Sequence, residues 1–219
     1  MVNAGHGGYQ HSLHPLASLR QNCGNPTVPT MSYITAPERF ETSEFVLRCY
    51  LPGDGPALQD ATNHSYEHLK TFMPWACDDQ TSEEAEQLVR QFRGRWLLSQ
   101  DFVVALFSRD ESQLLGGGGF HLREGSLATK SAEIGMWIRA SSAGQGVGTS
   151  FLNALIEWGF TAWPWERLSW RCDSRNLASI RIAEKAGMQA EGVLRSHKFA
   201  PSGERRDTSC FAILRDSKR

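Results

Sequence analysis

The sequence predicts a single mixed α/β domain of the α+β kind, with helices on both faces of a central sheet. Three observations carry that reading. From about residue 40 onward, stretches of period two alternate with stretches of period 3.6. Hydrophobic residues at 40% and aromatics at 10% can fill one substantial core in a 219-residue chain. No internal repeat is present, which sets solenoid and propeller arrangements aside.

The chain before residue 37 belongs to neither pattern. Residues 1–30 carry one full charge, Arg20, and no acid, with glycines and histidines scattered among polar residues. They contain no apolar core of a secretory signal. Residues 1–36 therefore read as a flexible extension, or as sequence upstream of a start at Met31, and 37–219 as the domain. His11 and His14 stand three apart, but Pro15 and the nearby glycines oppose a helix there, and no metal site is expected.

Within the domain the elements follow in order. Phe45–Tyr50 is a short strand closed by the Pro52-Gly-Asp-Gly55 turn. Residues 56–72 suit a helix. Thr81 with Glu84 three residues on forms a capping box, and Leu88, Phe92, Trp96 and Leu97 supply the stripe of the helix it opens. Phe102–Phe107 and Leu114–His121 read as consecutive strands joined through 109–112. Over 131–139, Ala132, Ile134, Met136 and Ile138 alternate with Glu133, Gly135, Trp137 and Arg139. A glycine-rich turn at 144–148 then opens a helix carrying Val147, Phe151, Leu155 and Trp158 on one side. Leu168, Trp170 and Cys172 alternate in the next strand. Asn176 caps a helix that runs through Lys185 and stops at Gly187, and two strands near 189–196 and 208–214 complete the chain.

Composition narrows the function classes. Lys plus Arg number 23 against 24 Asp plus Glu, so the net charge of −1 excludes nucleic-acid binding driven by overall charge. No apolar run approaches the ~20 residues of a membrane helix. The five cysteines include no C-x-x-C pair, which fits reduced thiols in a cytoplasmic setting.

The turn Ala143-Gly-Gln-Gly-Val-Gly-Thr149 carries the first chemical signal. A helix N-terminus offers unpaired backbone N–H groups and partial positive charge, and glycines let an anion approach them. The G-x-G-x-x-G fingerprint fails, because Thr149 and Phe151 stand where glycine is needed. The P-loop fails for want of a lysine. A turn that holds the pyrophosphate of coenzyme A remains. Gly116–Gly119 lies between strand residues with no helix after it and reads as close packing.

Gln145-Gly-Val-Gly-Thr149, following Ala132-Glu-Ile-Gly-Met-Trp-Ile138, resembles the acetyl-CoA-binding core of the GNAT N-acetyltransferases. Asn176-Leu-Ala-Ser179, Glu184-Lys-Ala-Gly187 and Glu191-Gly-Val-Leu-Arg195 resemble the RimJ/RimL-like branch that acetylates ribosomal proteins, as do Phe40-Glu-Thr42, Leu47-Arg48 and Met73-Pro-Trp75. The likeness spans residues ~38–215. It implies a mixed, mostly antiparallel sheet, acetyl-CoA as cosubstrate and no metal. It further implies that the strand at 133–139 splays from the one near 168–173, leaving a free backbone N–H near Trp137–Arg139 for the thioester oxygen. Two positions depart from the family. Ala143 stands where a polar side chain is usual, and Lys198 stands where some members carry a catalytic glutamate.

Cofactor contacts are accordingly expected from Trp137, Ile138, Arg139, Gly144, Gln145, Gly146, Val147, Gly148, Thr149 and Asn176. Glu133, the only carboxylate on its strand, is the candidate base, and Ser179 the candidate acid for the departing thiolate. Phe72 and Trp75 are assigned to the acceptor pocket. His121 ranks below Glu133 as a base, and Cys172 is expected to be buried with Leu168 and Trp170. The expected activity is acetyl transfer to a primary amine, with a protein N-terminal α-amino group first. A small amine or antibiotic is the alternative, and a non-catalytic acyl-CoA-binding module the third reading. No membrane or nucleic-acid partner is expected, and the protein is either a monomer or a homodimer.

Overall fold

The structure, a computed structural model, describes residues 33–218 apart from 124 and 201. The 1–30 segment, with His11 and His14, lies outside the described residues. The domain itself begins earlier than residue 37. Ile34 exchanges two hydrogen bonds with Ser99, its N–H donating to Oγ at 3.1 Å and its carbonyl accepting at 3.2 Å, and Ile34 and Ala36 pack on the core.

Eight strands form one sheet: β1 Arg39–Glu41, β2 Phe45–Cys49, β3 Phe102–Ser108, β4 Leu114–His121, β5 Ser131–Ile138, β6 Arg167–Asp173, β7 Gln189–Phe199 and β8 Arg205–Leu214. Their order is β1-β2-β3-β4-β5-β6-β8-β7, and every neighbouring pair is antiparallel except β5 with β6. The short β1 had no periodic signal, because three residues are too few to show one. The helices are α1 Gly55–Asn63, α2 Tyr66–Leu69, α3 Ser82–Leu97, α4 Val147–Thr161 and α5 Leu177–Lys185.

The expected 56–72 helix is therefore two. Buried Ser65 ends the first, its hydroxyl donating to the Ala61 carbonyl at 2.6 Å while accepting the Ala140 N–H at 3.0 Å. That second bond ties the α1–α2 corner to the end of β5. The α3 capping box is present, with Thr81 Oγ1 accepting the Glu84 N–H and the Glu84 carboxylate accepting the Thr81 N–H. Leu97, expected in the stripe, is exposed; Ala85, Val89 and Trp96 are the buried residues of α3.

Alternation along the strands sorts side chains onto two faces. Phe102, Val104, Leu106, Ala132, Ile134 and Ile138 join one core with α4 and a cluster of tryptophans that includes Trp158, Trp163 and Trp165. Val46, Ala105, Phe107 and Trp137 face the other way, against α1 and α3. The glycine run in β4 permits the second face to close. A Cβ at Gly117 would stand 2.7 Å from Trp137 Nε1, so the indole approaches β4 this closely only because that position is glycine. No helix among the described residues is long and apolar enough to cross a membrane.

Candidate active site

The site is built where β5 and β6 part. Their parallel pairing covers Ser131–Ile134 against Arg167–Trp170 and stops at Ile134↔Trp170. Past that pair, β5 stays with β4 as far as Ile138, and β6 stays with β8 as far as Asp173. A cavity of about 670 Å³ opens at the split.

The ladder decides which backbone groups face it. Arg139 N–H donates to the Leu115 carbonyl at 2.8 Å, so by alternation Trp137 and Gly135 also bond toward β4. The N–H groups of Met136 and Ile138 then point toward the gap. Within the Trp137–Arg139 stretch expected to offer one free donor, Ile138 is the residue whose N–H faces the gap. The Arg139 side chain is likewise occupied, donating to Asp60 at 2.6 Å on α1.

The glycine turn sits at the head of α4. Gly146 is its N-cap with φ +86, a left-handed conformation that side chains seldom adopt. A Cβ there would meet nothing within 4 Å, so the glycine serves conformation and not space. Thr149 and Ser150 donate to the Gly146 carbonyl, which leaves the N–H groups of Val147 and Gly148 without helical partners. Gln145 Nε2 donates to the Ser141 carbonyl at 2.8 Å and braces the turn. Ala143 adds no side-chain donor. The backbone donors and the positive end of a 15-residue helix remain, and they fit a pyrophosphate.

The cavity gathers Glu133, Ser179, Asn176, Trp137, Phe72 and Trp75. Asn176 Oδ1 caps α5 by accepting the Ser179 N–H at 3.0 Å. Ser179 Oγ accepts the Trp170 indole N–H at 3.1 Å. Trp75, half exposed at the rim, meets Trp137 edge-on with ring centroids 5.9 Å apart. Glu133 is almost fully buried, and Oε1 accepts from Arg123 Nη1 while Oε2 lies 4.0 Å from Arg171 Nε.

Residues 45–189 match the family of acetyltransferase (GNAT) domains. The chain belongs to the GNAT acetyltransferase family. It is similar to YoaA of Bacillus subtilis, an uncharacterized N-acetyltransferase, at 29% identity over 135 residues, covering 61% of this chain and 73% of YoaA. A ribosomal-protein-serine acetyltransferase of Escherichia coli is 28% identical over 151 residues, 68% of this chain and 81% of that protein. Among solved structures, RimL, a ribosomal L7/L12 α-N-protein acetyltransferase in complex with coenzyme A, superposes with a TM-score of 0.73 at 21% identity. That match covers 81% of this chain and 98% of RimL, and it shows a shared fold.

This GNAT protein is thus an acetyl-CoA-dependent N-acetyltransferase. Several groups lining the split carried no sequence signal. Arg123 and Arg171 become visible only once β4, β5 and β6 bring them to Glu133. Asp101, just before β3, reaches His121 at the end of β4 at 2.7 Å. Asp173, with a side chain 1% exposed, is held by Arg175 at 3.0 Å and faces Arg206 at 3.7 Å. Cys172 is half-buried and lines the cavity, contrary to the burial expected of it. Burial pushes its thiol up, against opposing hydrogen bonds from Ser179 and Trp170, which suits a neutral thiol more than a nucleophile.

Proposed function

We propose that this GNAT enzyme transfers the acetyl group of acetyl-CoA to the α-amino group at a protein N-terminus, in the cytoplasm. The observation that carries the reading is the split at Ile134↔Trp170, with backbone donors on one wall and Ser179 in the same cavity. At about 670 Å³ the space lies in the range of roughly 300–1,000 Å³ typical of small-ligand sites, open to a thioester and the tip of an acceptor. The likeness to a ribosomal-protein-serine acetyltransferase supports a protein acceptor.

Each step has a group to serve it. Val147 and Gly148 N–H groups at the head of α4 take the pyrophosphate. Met136 and Ile138 N–H groups face the thioester carbonyl and stabilise the charge that develops on its oxygen. Holding amine and thioester in line supplies ~7–11 kcal/mol of the barrier lowering. Ser179 is suited to protonate the leaving thiolate. Its oxygen accepts from Trp170, and its hydroxyl bonds the neutral Cys172 thiol, a weaker partner than a departing thiolate. Phe72 and Trp75 border the acceptor, and Glu133 and His121 are the two groups available to receive the ammonium proton.

Acetyl-CoA turnover against a panel of N-terminal peptides and small primary amines tests the acceptor. Release of CoA with peptides alone supports the proposal. Release with small amines alone overturns it in favour of a small-molecule acetyltransferase.

A further inference from the structure

We propose that the proton acceptor in this reaction is Nε2 of His121, held in place by Asp101, and that Glu133 is the charge that orders the guanidinium groups beside it. The proposal rests on acetyl transfer to an amine and is indifferent to which amine is the acceptor.

The geometry distinguishes the two groups. His121 Nδ1 lies 2.7 Å from Asp101 Oδ1, and both residues line the cavity. An ionised carboxylate only accepts, so Nδ1 carries the proton toward Asp101 and, in the neutral ring, the lone pair is on Nε2. Nε2 makes no hydrogen bond with any described residue. It lies over Gly135, since a Cβ built there would stand 3.1 Å from Nε2 and from Cδ2. Gly135 is the first residue of β5 beyond the last pair with β6, and Met136, whose N–H faces the gap, follows it. The bare nitrogen is therefore at the mouth of the split. A nitrogen with its other ring position fixed by a carboxylate has the arrangement a general base needs.

Glu133 lacks these properties. It stands directly across the β4–β5 ladder from His121, so the two share the cleft face. Its carboxylate is 8% exposed and is engaged by Arg123, with Arg171 on the other oxygen. To accept a substrate proton it would have to give up an ion pair first. Among the described residues, the charged groups facing His121 are Asp101 ahead of β3, Arg123 after β4, Glu133 on β5 and, behind Glu133, Arg171 on β6.

The step balances without any other reagent. Nε2 takes one proton from the acceptor ammonium, giving imidazolium and free amine. The amine nitrogen forms a bond to the thioester carbon, and the C–S bond breaks as the tetrahedral species collapses. Sulfur receives the Ser179 hydroxyl proton, and the second proton lost by nitrogen refills that hydroxyl through water. Ammonium and thioester thus yield amide, thiol and one proton, which His121 passes to solvent.

The test uses the full-length protein and an amine it acetylates. His121→Asn keeps an amide donor for Asp101 but has no lone pair to receive a proton. Its kcat should fall by about 10²–10⁴, the loss typical of a missing general base, with CoA affinity by calorimetry unchanged. A weakly basic amine, which arrives unprotonated at neutral pH, should recover most of the lost rate. Asp101 is a positioning residue. Asp101→Asn should lower kcat about tenfold or more with little change in acceptor KM or CoA affinity, and Asp101→Glu, which restores a carboxylate acceptor for Nδ1, should recover part of the loss. A merely structural Asp101 leaves kcat unchanged in a folded Asp101→Asn protein. If His121→Asn keeps wild-type kcat while Glu133→Gln loses it, the assignment is overturned. If His121→Asn fails to fold, carbethoxylation of the wild-type protein decides, since modification of His121 mapped by mass spectrometry should abolish turnover and be blocked by acetyl-CoA. An active enzyme modified at His121 contradicts the proposal. A wild-type protein inert toward every amine overturns the acceptor reading and this one together, whereas an active wild type with an active His121→Asn overturns this one alone.

Discussion

Trp170 donates its indole N–H to Ser179 Oγ at 3.1 Å, joining the last residue of β6 paired with β5 to the first turn of α5. The bond fixes the position of a first-turn serine hydroxyl beside the cleft. Ser179→Ala should lower kcat by about ten- to a hundredfold, less than the full general-acid effect because water can protonate the thiolate in its place. CoA affinity should hold, since the pyrophosphate donors are on α4. Steady-state rates and calorimetry on the same preparation check both parts.

Gly146→Asp separates binding from folding. A side chain at φ +86 is strained, so the melting temperature should fall somewhat, and affinity is read well below the variant's own transition. The new carboxylate stands where the pyrophosphate belongs and should raise the Kd for CoA at least about tenfold, by like-charge repulsion in place of attraction. Calorimetry reads the affinity and a melting curve reads the fold.

Trp75 is half exposed at the cavity rim and packs edge-on against Trp137. Trp75→Ala should raise acceptor KM about tenfold and leave CoA affinity and melting temperature nearly unchanged, because little of the indole is in the core. An unchanged acceptor KM would remove Trp75 from the acceptor pocket.

Acid should loosen the far wall of the cleft. Burial pushes the Asp173 carboxyl up, but hydrogen bonds from the Arg175 side chain and backbone, with charge from Arg175 and Arg206, outweigh it and hold the group below its ordinary 3.8. A group depressed in the folded state contributes its stability above the unfolded value and loses it as pH falls through the folded one. The melting temperature should therefore drop as pH passes below 3.8. Asp173→Asn should be less stable than wild type at pH 7, with the difference shrinking in acid.

The parts of this enzyme legible in its sequence are those with local causes. The α3 capping box, the alternation of Ala132–Ile138, the Asn176 cap and the glycine turn each state their conformation within a few residues. The motifs at 132–138, 145–149 and 176–179 were enough to indicate the family that the match over 45–189 establishes. The break at Ser65 was hidden because its cause lies across the fold, at the Ala140 N–H. The same holds for the ion pairs around Glu133. Nothing near residue 133 in sequence announces Arg171, and nothing near His121 announces Asp101, because strand order alone makes them neighbours. The backbone donors facing the split are also a property of register, which turns the Arg139 N–H to Leu115 and leaves that of Ile138, within the expected Trp137–Arg139 stretch, facing the gap.

A crystal structure of the complex with coenzyme A tests whether the cosubstrate reacts in the gap between β5 and β6 beyond Ile134 and Trp170. The thiol end should lie between the parted strands, within hydrogen-bond reach of the Met136 and Ile138 N–H groups and of Ser179, with the pyrophosphate over the N–H groups of Val147 and Gly148. Coenzyme A bound elsewhere on the surface, or strands β5 and β6 paired through Gly135–Ile138 in the complex, would contradict that placement.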